Sequence, residues 1–228
     1  MLLLFDIDGT LLLRASREHA EAIYAALRRV HGIQIPEAKV EAAGRTDGAI
    51  ARSILTLAGV SADVIDARAL DVRAVACEEF ARRCPPDLSA HVSPGVPALL
   101  DELSARDDLR LALLTGNLEP VARLKLQRAG IGGHFPRGQG AFGSDHDDRA
   151  ALPAVARMRA GERHRPWPRE QTVVIGDTPR DIACARADGV HVIAIATGPF
   201  RADDLRGADA VVQHPREIPA ALAALPSA

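Results

Sequence analysis

Short, almost continuously apolar runs recur along the chain and predict buried β-strands. They lie at residues 1–5, 109–115, 172–176, 191–197 and 208–213. Continuous apolar character is typical of strands that are covered on both faces, as in a parallel sheet. Helical stretches that end near glycine separate the later runs. This alternation predicts a doubly wound α/β fold with a parallel sheet.

Residues 14–90 have a different pattern. Apolar positions there recur at spacings of three and four residues, and no strand-like run interrupts them. The segment CPPDLSAHVSPGVP, rich in Pro and Ser, spans the end of this helical block. We therefore predict an α-helical domain at 14–90, inserted into an α/β core domain formed by residues 1–13 and 91–228.

The composition favours a folded enzyme-sized domain over a nucleic-acid binder. Hydrophobic residues make up 47% of the 228 residues, whereas the formal net charge is −2 and aromatic residues make up 3%. The three cysteines have neither disulfide-framework nor zinc spacing, which suits a reducing compartment. Since the chain shows no signal-peptide pattern and no apolar run near the ~20 residues of a membrane span, we expect a soluble, cytoplasmic protein.

Polar residues with related chemistry follow three of the predicted strands. Because ligands of a parallel sheet bind beyond the carboxyl ends of its strands, we expect these residues to meet at one edge. The three segments are Asp6-Ile7-Asp8-Gly9-Thr10, Thr115-Gly116-Asn117 and Asp177-Thr178-Pro179-Arg180-Asp181.

The carboxylates at this edge require a counter-charge. In strand geometry the side chains of Asp6 and Asp8 share a face, about 6 to 7 Å apart. At 4 Å, two like charges repel by about 4 kcal/mol at an effective dielectric constant near 20. A hard cation relieves this repulsion, and ligation by carboxylates, a carbonyl and water suits Mg²⁺. Helix capping, a common role of aspartate after a strand, explains one such motif but not three together.

The ordered motifs DIDGT (6–10), LLTGN (113–117) and VVIGDTPRD (173–181), with a helical insertion after the first, resemble those of the haloacid dehalogenase superfamily. The resemblance covers essentially the whole chain and is closest to the phosphoglycolate-phosphatase-like members. It implies a Rossmann-like core, a helical cap that closes over the site, and Mg²⁺ as cofactor. The implied reaction is hydrolysis of a small phosphomonoester through an aspartyl-phosphate.

The resemblance also implies roles for individual residues. Asp6 matches the nucleophile, and Asp8 matches the general acid/base, whose backbone carbonyl also binds the metal. Asp177 matches a metal-ligating acid, and Asp181 matches a second acid that ligates directly or through water. The phosphate-binding motif is matched by Thr115, Gly116 and Asn117.

The basic residue departs from the family pattern. The family usually has a lysine at the start of the helix before the GD motif, where this chain has Arg149. We expect Arg149 to neutralise the nucleophile and the phosphate, since a guanidinium can bind phosphate through two hydrogen bonds. The alternative is Lys125, ten residues after Thr115 on a helix that we expect to run away from the sheet edge. The simpler interpretation of Lys125 is a solvent-facing charge.

Within the helical block, Gly44-Arg45-Thr46-Asp47 matches the place where residues of the family's cap approach the substrate. We expect Arg45, together with Thr46, to contact an anionic substrate. The alternative is a helix N-cap, with Asp47 in the first turn.

Other functions share parts of this pattern. A sugar phosphomutase of the β-phosphoglucomutase type has the same core motifs. A phosphonate hydrolase requires a Schiff-base lysine in the cap, and Lys39 is the only lysine at 14–90. A phospho-acceptor receiver domain is much shorter and has no helical insertion, and a catalytically silent binding protein has no need of crowded acids. We therefore expect a phosphatase that acts on a small phosphorylated metabolite, with no nucleic-acid or membrane partner.

Overall fold

A six-stranded parallel sheet forms the centre of the computed structural model, which describes residues 1–38, 40–162 and 165–226. The strands are β1 (Leu2–Phe5), β2 (Arg110–Thr115), β3 (Ala141–Phe142), β4 (Thr172–Gly176), β5 (His191–Ile195) and β6 (Ala210–Val212). Their order is β3-β2-β1-β4-β5-β6, and every neighbouring pair is parallel. The chain order reverses at β1, which places the ligand-binding crevice of an open α/β sheet beside this strand.

Helices occupy the insertion between β1 and β2 and cover both faces of the sheet. Those of the insertion are α1 (Arg17–His31), α2 (Asp47–Leu57), α3 (Ala62–Ala67) and α4 (Ala69–Arg83). Those of the core are α5 (Val96–Ser104), α6 (Glu119–Arg128), α7 (Leu152–Ala160), α8 (Pro179–Asp188) and α9 (Ile218–Ala223). None of the helices in the described part of the chain combines the length and the apolar character that a membrane crossing requires.

Two apolar clusters sandwich the sheet, because successive side chains of a strand point to opposite faces. Leu3 and Phe5 of β1 pack in the cluster that includes residues of α5 and α6. Leu2 and Leu4 pack on the other face with residues of α7 and α8. All four side chains are at most 1% exposed, as the continuous apolar run predicted, and the doubly wound α/β fold is confirmed.

A third apolar cluster forms inside the helical insertion, which is consistent with the predicted cap. Ile23 of α1, Leu55 of α2 and Phe80 of α4 are buried there. Leu118 and Val121, at the start of the core helix α6, belong to the same cluster. Apolar contacts therefore join the insertion to the core directly beside β2. The boundaries at 14–90 remain a prediction.

One strand was absent from the sequence prediction. The strand β3 has only two residues, Ala141 and Phe142, and it extends the sheet beside β2. A two-residue strand between Gly140 and Gly143 is too short to show periodicity. Gly140 also has φ +84°, and a Cβ there would lie 2.5 Å from the Leu113 carbonyl oxygen, so this close approach of the two backbones requires glycine.

Candidate active site

Three buried aspartates meet at the carboxyl edge of the sheet. Asp6 follows β1, Asp177 follows β4, and Asp181 lies in the first turn of α8. One carboxylate oxygen of each lies within 4.8 Å of the others, and each residue is at most 4% exposed. The sheet register explains the convergence, since β1 and β4 are neighbours and both end at this point. The structure thus brings together three of the acids that the sequence placed at one edge.

Burial and mutual repulsion raise the pKa values of two of these acids. For Asp6, burial is the largest influence and raises the pKa to about 7, although Arg149 opposes it. For Asp177, burial and the charges of Asp6 and Asp181 raise the pKa to about 8, although a hydrogen bond from Thr10 opposes the increase. Among the described residues, three carboxyl groups lie around one arginine, so the cluster carries an excess of negative charge when its acids are ionised.

The donor set fits a hard divalent cation such as Mg²⁺. All three candidate ligands are carboxylates, and Asp177 Oδ2 is buried with no hydrogen-bond donor among the described residues. Asp181 is more engaged, because its Oδ2 accepts from Thr178 N at 3.0 Å and from Thr178 Oγ1 at 2.7 Å. Asp181 N also donates to Thr178 Oγ1 at 3.2 Å, which together with the bond from Thr178 N forms a capping box at the start of α8. Asp6 and Asp177 therefore have oxygens available for direct ligation, whereas Asp181 is better suited to ligation through water.

Arg149 lies among these acids. Its Nη2 donates to Asp181 Oδ1 and forms an ion pair with Asp6 Oδ1 at 3.1 Å, and the side chain is 8% exposed. Burial alone would lower the pKa of this guanidinium, but the charges of Asp181 and Asp6 raise it well above its ordinary value. The buried Nε has no acceptor among the described residues. Arg149 thus occupies the expected place and retains an N–H for a phosphate oxygen.

Lys125 also lies in the site, and the expectation of a solvent-facing charge is wrong. Its side chain is 0% exposed, and Nζ donates to Asp8 Oδ1 at 2.8 Å and to Asp8 Oδ2 at 2.7 Å. Helix α6 does run away from the sheet edge, but helical side chains point back toward the N-terminus, and a lysine stem is long. Lys125 follows Val121 by four residues on the buried face of α6. This four-residue spacing is the feature of the sequence that indicates a buried position for Lys125.

The Asp8 carboxylate is separate from the three clustered acids. Besides Lys125, it accepts hydrogen bonds from Asn117 Nδ2 at 2.9 Å and from Ser16 Oγ at 3.2 Å. Burial is the largest influence on its pKa and raises it, but the charge of Lys125 and the hydrogen bonds from Lys125 and Asn117 lower it to about 2. Since the Asp8 side chain faces Lys125, only its backbone carbonyl remains for the metal role that the resemblance implied.

The segment after β2 forms part of the same site. Thr115 is fully buried, and its Oγ1 accepts from Asn117 N at 3.3 Å. A Cβ at Gly116 would lie 2.0 Å from the Arg45 carbonyl oxygen, so glycine is required where the cap segment touches this loop. Asn117 Oδ1 is buried and has no donor among the described residues. The loop is therefore close to the acids and is shaped by contact with the cap.

A cavity of about 900 Å³ lies between the core and the helical insertion. Its core wall carries the polar residues described above, and its cap wall is mainly apolar. The core wall includes Asp6, Asp8, Thr115, Gly116, Asn117, Arg149 and Asp177. The cap wall includes Ile23, Tyr24, Val40, Ile50 and Ile54. Lys39, the candidate Schiff-base lysine, lies outside the described residues.

Comparison with family models decides the family. Residues 3–186 match the model of the haloacid dehalogenase-like hydrolases, and residues 150–225 match a second model of such hydrolases. The chain belongs to the haloacid dehalogenase-like hydrolases. The first match spans the sheet edge, the acids and the whole helical insertion.

The individual proteins that this chain resembles include a phosphatase and a protein kinase. The chain is 29% identical over 204 residues to a phosphoglycolate phosphatase of Rhodospirillum rubrum, a match that covers 87% of this chain and 80% of that protein. It is 33% identical over 121 residues to the tyrosine-protein kinase PtkA of Mycobacterium tuberculosis, covering 53% of this chain and only 40% of that protein. A solved structure of a candidate β-phosphoglucomutase from Bacteroides vulgatus shares the fold. Its TM-score is 0.67 at 22% identity, with 98% of this chain and 89% of that chain covered.

The cap segment of this haloacid dehalogenase-like hydrolase is placed differently from the expectation. Arg45 lines the cavity, but its guanidinium donates to Glu41 O, Ala49 O and Ser53 Oγ, all within the cap. Thr46 is 1% exposed and is the N-cap of α2, where its Oγ1 accepts from Ala49 N. The structure corrects the expectation for Thr46, because its hydroxyl also donates to Asp147 O at 2.5 Å and so has both its donor and an acceptor position occupied. Substrate contact by Arg45 remains a prediction.

The sequence did not predict the contacts that two buried cap residues make in this site. His19 of α1 and Asp47 of α2 are 6% and 4% exposed and lie between the cap and Lys125. The alternative interpretation of residues 44–47, a helix N-cap, did predict that Asp47 lies in the first turn of a helix, as it does in α2. A single histidine without metal spacing gave no signal, because its partners are distant in the sequence.

Proposed function

We propose that this protein is a Mg²⁺-dependent phosphatase that hydrolyses a small phosphomonoester through an aspartyl-phosphate on Asp6. The observation that carries the proposal is the placement of Asp6 at the end of β1, beside Arg149 and Asp177, on the wall of a 900 Å³ cavity. Family membership and the phosphoglycolate phosphatase relative support it.

In the proposed reaction, the Asp6 carboxylate attacks phosphorus and the bond from phosphorus to the leaving oxygen breaks. Asp8 gives a proton to that oxygen and later takes one from the water that attacks the aspartyl-phosphate, which releases phosphate and restores Asp6. Arg149, already paired with Asp6 in a salt bridge, offers its remaining N–H groups to phosphate oxygens. Thr115 and Asn117 border the space where those oxygens bind.

Asp6, Asp177 and the Asp8 carbonyl would hold Mg²⁺ directly, and Asp181 would reach it through water. The bound ion would keep Asp6 ionised and offset the charge of the phosphoryl group. The free protein holds Asp8 ionised, since its pKa is about 2. A bound phosphomonoester places negative charge beside Asp8 and raises this pKa, because a like charge disfavours the ionised form. Asp8 therefore takes up a proton from solvent when substrate binds, and this is the proton that it gives to the leaving oxygen.

A phosphate-release screen over small phosphomonoesters tests the proposal, first with Mg²⁺ and then with excess chelator. We expect release with Mg²⁺ and its loss with chelator. Asp6→Asn should lower turnover by more than about 10³-fold, because an amide is not a competent nucleophile. Asp203→Asn, an exposed aspartate paired only with Arg206 in the described residues, is the matched control and should retain activity.

The proposal fails if Asp6→Asn keeps more than a few per cent of the wild-type rate while the protein stays folded. Product analysis with sugar monophosphates separates hydrolysis from the phosphomutase alternative. A phosphatase releases inorganic phosphate from every sugar phosphate that it turns over, whereas a mutase returns an isomeric sugar phosphate.

A further inference from the structure

A buried chain of polar side chains links the cap to Asp8. Asp47 Oδ2 lies 2.9 Å from His19 Nε2, and His19 Nδ1 lies 3.2 Å from Lys125 Nζ. The same ammonium donates to both oxygens of Asp8. His19, Asp47 and Lys125 are at most 6% exposed. The chain thus crosses from α2 through α1 to α6 and ends on an acid of the active site.

The chemistry of the two partners fixes the state of the imidazole. A carboxylate only accepts hydrogen bonds, so Nε2 must carry the proton that Asp47 accepts. An ammonium only donates, so Nδ1 must present its lone pair to Lys125. His19 is therefore a neutral imidazole with its proton on Nε2. The Asp47 carboxylate is itself held in place, because Oδ2 also accepts from Leu118 N at 2.8 Å.

These contacts give the ammonium a complete set of acceptors. Lys125 has three N–H groups, and the described structure supplies three acceptor atoms, two on Asp8 and one on His19. A flexible lysine without the third acceptor can rotate away from Asp8, since its stem has four carbons. The ring of Phe80 packs edge-on against His19 at 5.5 Å and limits the movement of the imidazole.

We propose that His19 and Asp47 are positioning residues that hold the Lys125 ammonium on Asp8 and so orient Asp8 toward the leaving group. The inference rests on the proposed role of Asp8 as general acid/base. It assigns to the cap a part in proton transfer, because both positioning residues belong to cap helices. A purely structural role predicts a different outcome, in which loss of His19 affects stability and all substrates equally.

The kinetic test compares two substrates in His19→Leu. An alkyl phosphate needs a proton on its leaving oxygen, whereas 4-nitrophenyl phosphate releases a stable phenolate and depends less on Asp8. We expect kcat to fall roughly 10- to 100-fold for the alkyl phosphate, the range found when a supporting hydrogen-bond partner is lost, and by less than about threefold for 4-nitrophenyl phosphate. His19→Gln, whose amide has one acceptor and a donor, should restore part of the rate. His134→Leu, which lies outside the cavity lining, is the control.

A double-mutant cycle shows whether His19 acts through Lys125. We expect His19→Leu to change kcat by less than about twofold in a Lys125→Met background, because the residue that it positions is gone. Equal losses for both substrates, or additive effects of the two substitutions, would overturn the inference. So would full activity of His19→Leu on the alkyl phosphate.

An NMR measurement keeps the inference testable apart from activity. The ¹⁵N signals of His19 in the wild-type protein should be those of a neutral Nε2–H imidazole, and Lys125→Met should shift the Nδ1 resonance. A protonated ring, an Nδ1–H tautomer, or no change in Lys125→Met contradicts the positioning chain. If the wild type hydrolyses no phosphomonoester, the proposed function fails, and the NMR result alone then decides whether the positioning chain stands.

Discussion

Gly9 packs so closely against Asp177 that alanine cannot replace it without moving that acid. The residue has φ +95°, and a Cβ there would lie 2.1 Å from Asp177 Oδ2 and 2.7 Å from Asp177 Oδ1. Both distances are far below the closest contact that a real Cβ makes, so the whole carboxylate must leave its place. We therefore expect Gly9→Ala to remove Asp177 from the acid cluster while leaving every charged residue in the chain.

Gly9→Ala should lower the stability of the folded protein in two ways, through backbone strain and through loss of Mg²⁺ binding. The backbone strain of a non-glycine residue at positive φ costs about 1–2 kcal/mol. Gly59→Ala measures this part alone, since Gly59 has φ +79° and nothing within 4 Å of its Cβ position. Binding of Mg²⁺ at 100 times its Kd stabilises the folded state by about 2.7 kcal/mol. For a chain of this size, that corresponds to a rise in Tm of roughly 5–10 °C.

Thermal unfolding of the wild type and both variants, each in Mg²⁺ and in chelator, provides the assay. We expect the wild type and Gly59→Ala to show the same Mg²⁺-dependent rise in Tm, and Gly9→Ala to show little or none. Activity should follow the same order. A Gly9→Ala protein that keeps the full Mg²⁺-dependent rise would refute the assignment of Asp177 as a ligand, and a wild type with no rise would refute the metal site itself.

Three further predictions concern the charged groups of the core. In the metal-free protein, the folded state keeps protons on Asp6 and Asp177 up to pH values of about 7 and 8, above the unfolded values near 4. The free energy of unfolding, measured in urea, should therefore fall as pH rises from about 4 to 8, by up to about 1.4 kcal/mol per pH unit for each proton. Mg²⁺ should flatten this dependence on pH. A metal-free protein whose free energy of unfolding does not change over this range contradicts the prediction. Arg149→Ala should lower kcat/KM by about 10²–10³-fold in the phosphate-release assay, because it removes the cation that forms an ion pair with the nucleophile. A loss below tenfold contradicts its role. Arg157→Met should lower the free energy of unfolding by up to about 3–5 kcal/mol, because the buried Asp188 carboxylate loses the guanidinium that donates to it at 2.6 and 2.9 Å and keeps only Arg169, at 3.3 Å. Denaturant titration measures the loss, and a change below about 1 kcal/mol counts against the prediction.

The part of the site that follows directly from strand ends was predictable from sequence. Continuous apolar runs locate β1 and β4, and a parallel sheet places the residues after them at one edge. Asp6 and Asp177 follow from that argument alone, as does the excess of negative charge. The placement of Arg149 came from the resemblance, and the structure puts its guanidinium against Asp6.

The remaining site residues depend on contacts between distant segments. Lys125 reaches Asp8 across 117 positions, and His19 reaches Lys125 across 106. No local pattern records such a contact, although the spacing of Lys125 from Val121 does place the lysine on the buried face of α6. Thr46 shows the opposite case. Its local sequence favours a helix N-cap, and the structure has Thr46 as the N-cap of α2. The local preference was therefore the better guide to Thr46 than the family resemblance, which implied substrate contact.

Trapping the covalent intermediate tests the central claim most directly. The protein is mixed with a substrate that it turns over, quenched in acid within the first turnover, digested and analysed by mass spectrometry. We predict a peptide that carries one phosphoryl group on Asp6, and its absence from Asp6→Asn. Phosphate release at the normal rate with no phosphorylated peptide, or with the phosphoryl group on another residue, would contradict the account.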